Sequence, residues 1–115
     1  MTTCRLRLPM PPSVNDIWSW GGGSVNRSRR YKDWIAEADF AFLQQKRGQP
    51  RFSDDVRVEI ALGPRRKGRD LDNTMKPLLD RLEAWGIVAN DSQVVEIRAR
   101  WDDAVDGAEI VVEGL

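Results

Sequence analysis

"VRVEIALGPRRKGRDLDNTMKPLLDRLEAWG", residues 56–86, changes its hydrophobic period once. Val56, Val58, Ile60 and Leu62 alternate with Arg57 and Glu59, the pattern of a half-buried strand. A turn follows that carries Arg65, Arg66, Lys67 and Arg69. Beyond it Met75, Leu78, Leu79, Leu82 and Trp85 form one apolar stripe at helical spacing, and Gly86 suits the residue after a helix end. Pro77 constrains where this helix starts. With Thr74 as N-cap, Pro77 is the third helical residue, where a missing N–H costs no intrahelical bond. With Asn73 as N-cap it would delete one. The spacing therefore predicts a start at residue 73 or 74.

Working outward, "TCRLRLP" alternates Cys4, Leu6 and Leu8 against Arg5 and Arg7 and reads as a strand stopped by the prolines after it. "WSWGGGSVNRS" reads as a glycine-rich mobile loop. It is no P-loop, because no Gly-Lys-Ser/Thr follows the glycines. Residues 28–47 read as a helix capped by Ser28, with Tyr31, Trp34/Ile35, Ala38, Ala41/Phe42 and Gln45 on its inner face. "VVEIRARW" and "AEIVVE" are two further strands across the turn "DDAVDG", expected to pair as a hairpin. The whole is a single α/β (α+β) domain over residues 1–115. It has a mixed sheet of about four strands, two main helices and the order β-α-β-α-β-β.

Composition narrows the chemistry. Hydrophobic residues make up 41% and charged residues 31% of the chain, a globular rather than a disordered balance. No apolar run reaches the roughly 20 residues that span a bilayer, and "MTTCRLRLPMPP" has no signal-peptide segment. Cys4 is the one cysteine and there is no His. An internal disulfide, a zinc site of the usual kind and Ser-His-Asp or Cys-His catalysis are thereby excluded, and a reducing cytoplasm fits. Metal chemistry here rests on carboxylates, which suit hard ions such as magnesium or manganese. The net charge is zero but uneven. Residues 26–76 hold thirteen Lys/Arg against eight Asp/Glu, and residues 77–115 three against nine. A basic stripe for a polyanion beside an acidic face is one reading, and chance clustering in a short chain is the other.

Asp70 and Asp72 point to one side if the backbone there is extended, and Lys76 is one helical turn past Asp72. A helix of about 12 residues is roughly 18 Å long. The six residues 86–91 span about 20 Å when extended, so Asp91 is able to return toward Asp70. Three converging carboxylates repel one another unless a divalent cation neutralises them. The ordinary alternative is equally economical: Asp72 paired with Lys76 at a helix start, a solvated "RRKGR" turn and an "NDS" turn before a strand.

"RDLDNTMKPLLDRLEAWGIVANDSQV" closely resembles the signature of RusA-type Holliday-junction resolvases, often carried by prophages. "LPMPPSVNDIWSW" and "SRRYKDW" resemble the first strand, Pro-Pro-Ser-x-Asn loop and first helix of that family. Asn90 departs from the pattern, standing where an acidic residue is usual. The resemblance implies Asp70, Asp72 and Asp91 as magnesium ligands (manganese substituting) and Lys76 as the catalytic lysine. It implies a homodimer that nicks a four-way DNA junction symmetrically in recombination and repair. Asn15, Arg27, Arg29, Arg30 and Lys32, with Arg65, Arg66, Lys67 and Arg69, are the candidate DNA contacts. Trp18 and Trp20 are candidates for stacking on unpaired bases, against the commoner fate of a tryptophan, burial at a dimer interface or in the core. Two rivals stand beside this expectation: a junction-binding protein of the same fold that does not cut, and a small interaction domain with structural carboxylates.

Overall fold

The computed structural model describes residues 2–21 and 24–115; the side chains of residues 20, 21 and 24 lie outside that description, and with them the Trp20 stacking expectation. Among the described residues six strands and two α-helices follow one another: β1 (Thr3–Leu8), β2 (Trp18–Gly21), β3 (Ser24–Arg27), α1 (Arg29–Gln45), β4 (Val56–Gly63), α2 (Met75–Ala84), β5 (Val94–Trp101) and β6 (Gly107–Gly114). The main sheet has the order β1-β6-β4-β5 and is mixed. β5 runs parallel to β4, while β6 is antiparallel to both β4 and β1. One face of this sheet and the inner sides of the helices close the core around Leu6, Val58, Ile60, Leu62, Leu78, Leu82 and Ile110, each at most 2% exposed.

Two expectations are corrected. The segment read as a mobile glycine loop contains a two-stranded ribbon, with Trp18 opposite Arg27 and Trp20 opposite Val25. The alternation of Trp18, Ser19 and Trp20 is a strand pattern that the glycines masked. The last two strands are not a hairpin, because β4 lies between β5 and β6. β5 leaves β4 through α2 and so must be parallel to it. The 102–106 turn then carries the chain across the end of β4, where the Asp102 N–H donates to the Leu62 carbonyl at 2.8 Å. That crossing requires Gly63: a Cβ there would collide with the carbonyl oxygens of Asp102 and Val105.

The helix ends follow their local chemistry. Ser28 caps α1 by accepting the Tyr31 N–H. Thr74 occupies the N-cap position of α2, which makes Pro77 the third helical residue and removes the apparent conflict. The Thr74 hydroxyl donates to the Leu71 carbonyl at 2.7 Å instead of capping, and a 3₁₀ turn over Asp72–Thr74 leads into the helix. At the other end Gly86 takes a φ of 73°, while the Gly86 and Ile87 N–H groups bond back to the Glu83 and Leu82 carbonyls.

Candidate functional site

The loop after β4 sets the site's position. Gly68 has a φ of 81° and turns the chain so that Arg69 reaches inward and donates to the Pro11 carbonyl at 2.6 Å. The Arg65 N–H is held by Asp103 Oδ1 at 3.2 Å. These two anchors tie the loop to the N-terminal proline segment on one side and to the β5–β6 turn on the other. Asp70 and Asp72 then emerge, both exposed, just before α2. They flank a cleft of about 570 Å³ whose apolar floor is Ile97, Ala99 and Trp101 of β5 with Leu71 and Met75, and whose rim includes Arg65 and Arg69. Asp70 Oδ2 accepts a long bond from Asn73 Nδ2 at 3.5 Å.

Lys76 does not pair with Asp72. Its ammonium faces Asp80 at 3.5 Å, one turn further along α2. The simple helix-start ion pair is therefore absent from this geometry, and Asp72 is left facing the cleft. The i,i+4 spacing of Lys76 and Asp80 is the sequence signal for this pair.

Asp91 lies elsewhere. It opens a 3₁₀ turn over Asp91–Gln93 and donates its N–H to Glu83 Oε1 at 2.9 Å, near the C-terminal end of α2. Asp70 and Asp72 adjoin the N-terminal end of the same helix. Among the described residues no three His, Cys, Asp or Glu side chains gather closely enough to hold a metal ion. Asn90 is the cap of this turn. Its Oδ1 accepts the Ser92 N–H at 2.8 Å, while Gln93 Oε1 accepts the Asn90 and Ala89 N–H groups at 3.0 and 2.7 Å. The spacing Asn-x-x-Gln is a capping-box pattern that was readable in the sequence.

The remaining cations fall into two groups that meet. Arg30 of α1 lines a crevice with Arg66 and Arg69 of the loop, next to Asp33 and Glu37. Partial burial of Arg69, and after it the nearby Arg30 and Arg66, push its guanidinium below the ordinary arginine value. Arg69 is thus a strut within the basic surface, held to Pro11. Arg65, Arg66 and Lys67 are exposed, and among the described residues their side chains have no carboxylate partner. Arg27 lies over the Tyr31 ring at 5.6 Å; Arg29 and Arg30 face Asp33 and Asp16 at 3.9 and 3.6 Å. Lys32 and Asn15 are exposed, Asn15 in the 3₁₀ turn before β2. Trp18 is 49% exposed, beside Val14, Asn15 and Val25.

The sequence is similar to those of known proteins. A crossover junction endodeoxyribonuclease RusA of Aquifex aeolicus (strain VF5) is 34% identical over 92 residues, which cover 79% of this chain and 71% of the relative. The crossover junction endodeoxyribonuclease RusA of Enterobacteria phage HK97 is 28% identical over 117 residues, 98% of this chain and 94% of the relative. Residues 9–113 match the model of the family described as Endodeoxyribonuclease RusA, and the chain belongs to that family.

Proposed function

We propose that this protein is a magnesium-dependent, structure-specific endodeoxyribonuclease that acts as a homodimer and resolves four-way DNA junctions by paired nicks in recombination and repair. The observation that carries the reading is the pair Asp70 and Asp72 facing one cleft with Arg65 and Arg69 on its rim, in a chain of this family.

The donor set fits a hard divalent ion. Asp70 and Asp72 offer exposed carboxylate oxygens, and no imidazole or accessible thiolate competes with them. Asp91 is the third proposed ligand. A bound magnesium ion would supply charge neutralisation and a more acidic water for attack on phosphorus. The chain's own groups do the rest. Lys76, exposed on the first turn of α2, is placed to stabilise charge developing on the phosphate or the leaving oxygen. Arg65, Arg66 and Lys67, with Asn15, Arg27, Arg29, Arg30 and Lys32, hold neighbouring phosphates and fix the register of the DNA. A cytoplasmic setting is consistent with Cys4, which is buried and unpaired, its thiol pushed up to about 11 by burial. No helix among the described residues is long and apolar enough to cross a membrane.

The test incubates the purified protein with a synthetic four-way junction and with a matched linear duplex, in magnesium or in EDTA. Paired nicks that need magnesium and disappear in Asp70→Asn are expected. Binding without nicks would leave a non-cleaving junction binder, and no preference for the junction would overturn the DNA reading.

A further inference from the structure

Trp18 is 49% exposed, yet the ribbon that carries it is pinned at its base. Ile17, just before it, is fully buried, and the Ile17 carbonyl accepts the Ser28 N–H at 2.9 Å. The Ser28 hydroxyl donates to the Asp16 carbonyl, so both strands are tied together at the N-cap of α1. Trp18 stands opposite Arg27, and Trp18, Val25 and Arg27 lie on one face of the ribbon. Trp18 and Val25 line a groove of about 590 Å³ with Val14 and Asn15, and no carboxylate is in its wall. Asp16, next in the same turn, is engaged by Arg30 at 3.6 Å. The side-chain amide of Asn15 is exposed and makes no hydrogen bond among the described residues. The Val14–Asp16 turn packs against both the Asp72–Thr74 turn and α2, so the groove opens beside the carboxylate cleft.

Resting on the nuclease reading above, we propose that this groove takes a nucleobase displaced from its stack at the branch point of the junction, its face on the Trp18 indole and its edge at the Asn15 amide. Three observations select a base over an apolar protein surface. First, the surroundings are cationic. Arg27 ends the ribbon, and Arg29, Arg30 and Lys32 follow it on the first turn of α1, where a phosphate chain gains and an apolar partner does not. Second, Asn15 offers a donor and an acceptor side by side, which is what a base edge matches and an aliphatic surface leaves unpaired. Third, the groove adjoins Asp72, so a strand whose phosphate lies in the Asp70/Asp72 cleft passes the Trp18 indole. An indole on an anchored ribbon loses little freedom when it stacks, and stacking tolerates any base because each has a π-face.

This site gives the protein a means of telling a junction from a duplex. The cations meet phosphates in both and discriminate weakly between them. Inside a duplex each base is covered on both faces, and an indole reaches one only by unstacking it at a cost. At a branch point the stack is already interrupted, so a base is taken out at less cost. Trp18 therefore adds affinity on the branched substrate and little on the linear one.

Binding in EDTA, where no strand is cut, tests the stack. Trp18→Ala should weaken binding to a synthetic four-way junction about tenfold and to the matched duplex less than about twofold. Trp18→Phe should keep most of the junction preference, while Trp18→Leu, apolar but not planar, should lose it as alanine does. Equal losses on both substrates, or a leucine variant as selective as wild type, overturn the stack. Irradiation of junctions carrying 5-iodouracil at the branch point should cross-link the peptide that holds Trp18, and a duplex with the same base should not. Cross-links that miss that peptide overturn the placement. Wild type should bind junctions that differ only in the branch-point base with unequal affinity, and Asn15→Ala should narrow that spread; an unchanged spread overturns the Asn15 contact. Without DNA, Trp18→Ala should sediment at the wild-type mass, and a fall to half that mass would give the groove to a second copy instead. Wild-type nicking in magnesium with no effect of Trp18 overturns this inference alone. Absence of nicking counts against the nuclease reading, while the iodouracil cross-link still reports on the groove.

Discussion

The Asp91 N–H donates to Glu83 Oε1 at 2.9 Å, which fixes the 91–93 turn to the end of α2 farthest from Asp70 and Asp72. Glu83 thereby serves the turn as a cap serves a helix, accepting one of its free N–H groups. Glu83→Gln keeps an acceptor oxygen and should leave stability within about 0.5 kcal/mol of wild type. Glu83→Ala removes it and should cost about 1 kcal/mol in urea unfolding. Because the turn carries Asp91, the alanine variant should also nick junctions more slowly while binding them as well as wild type. Equal effects on nicking from both substitutions would contradict the role given to this bond.

Lys76 and Asp80 form an exposed i,i+4 pair at 3.5 Å. Such pairs contribute little to stability, so Asp80→Asn should change it by no more than about 0.5 kcal/mol. If Lys76 acts on charge that develops only during cleavage, Lys76→Gln should slow nicking at least about 100-fold. Junction affinity should fall only about twofold, because one phosphate contact of many is lost. Gel-shift and single-turnover nicking on the same substrate separate the two effects. A loss of affinity equal to the loss of rate would make Lys76 a binding residue only.

Arg65, Arg66 and Lys67 carry exposed charge with no carboxylate partner among the described residues. Neutralising all three to Gln should make the slope of log K against log salt shallower by about 3, close to one unit per phosphate released. Arg69 should behave differently. It donates to the Pro11 carbonyl and is partly buried, so Arg69→Gln should lower the melting temperature as well as the affinity. Fluorescence anisotropy across a salt series, beside thermal unfolding, checks both statements.

Gly63 sits where the turn after β5 crosses the end of β4. Gly63→Ala would push a methyl group into two backbone carbonyls, which cannot yield as a side-chain tip can. A loss of at least about 2 kcal/mol is expected, at the upper end for overpacking. Gly48 is the control. It has a φ of 77° with open space around its Cβ position, so Gly48→Ala should cost only the backbone strain, about 1 kcal/mol. Equal losses at both positions would show that the crossing is looser than its geometry implies.

Much of this architecture was legible because local and tertiary demands agree. β4 alternates over Val56–Ile60, where only one of its faces is buried, and α2 stops short of Gly86, which takes a positive φ. What was not legible depends on distant partners. The insertion of β6 between β1 and β4 is written in Gly63 and Gly107, glycines that read in sequence as ordinary turn residues. Asp70 and Asp72 line one cleft, though not through the extended backbone on which their two-residue spacing was read, because Leu71 between them is in the helical region. The placement of Asp91 was not legible, because a six-residue return segment allows either end of α2, and the bond to Glu83 decides between them.

Asn90, which the resemblance sets against an acidic residue, has a structural duty of its own as the cap of the 91–93 turn. The Asn90 side chain uses only its oxygen to cap the turn, accepting the Ser92 N–H. A carboxylate accepts the same bond and sits at the N-terminal side of a short helical turn, where negative charge is favourable. Asn90→Asp should therefore be neutral or stabilising by a few tenths of a kcal/mol, whereas Asn90→Ala should cost about 1 kcal/mol. Gln93→Ala should cost more, since Gln93 also donates to the Phe52 and Asp54 carbonyls at 2.9 and 2.8 Å and ties the turn to the segment before β4. Junction nicking by Asn90→Asp tells the two roles of the position apart. Wild-type rates would mean that capping is its whole duty. A rate rising by tenfold or more would mean that an acidic residue there also helps to hold the metal.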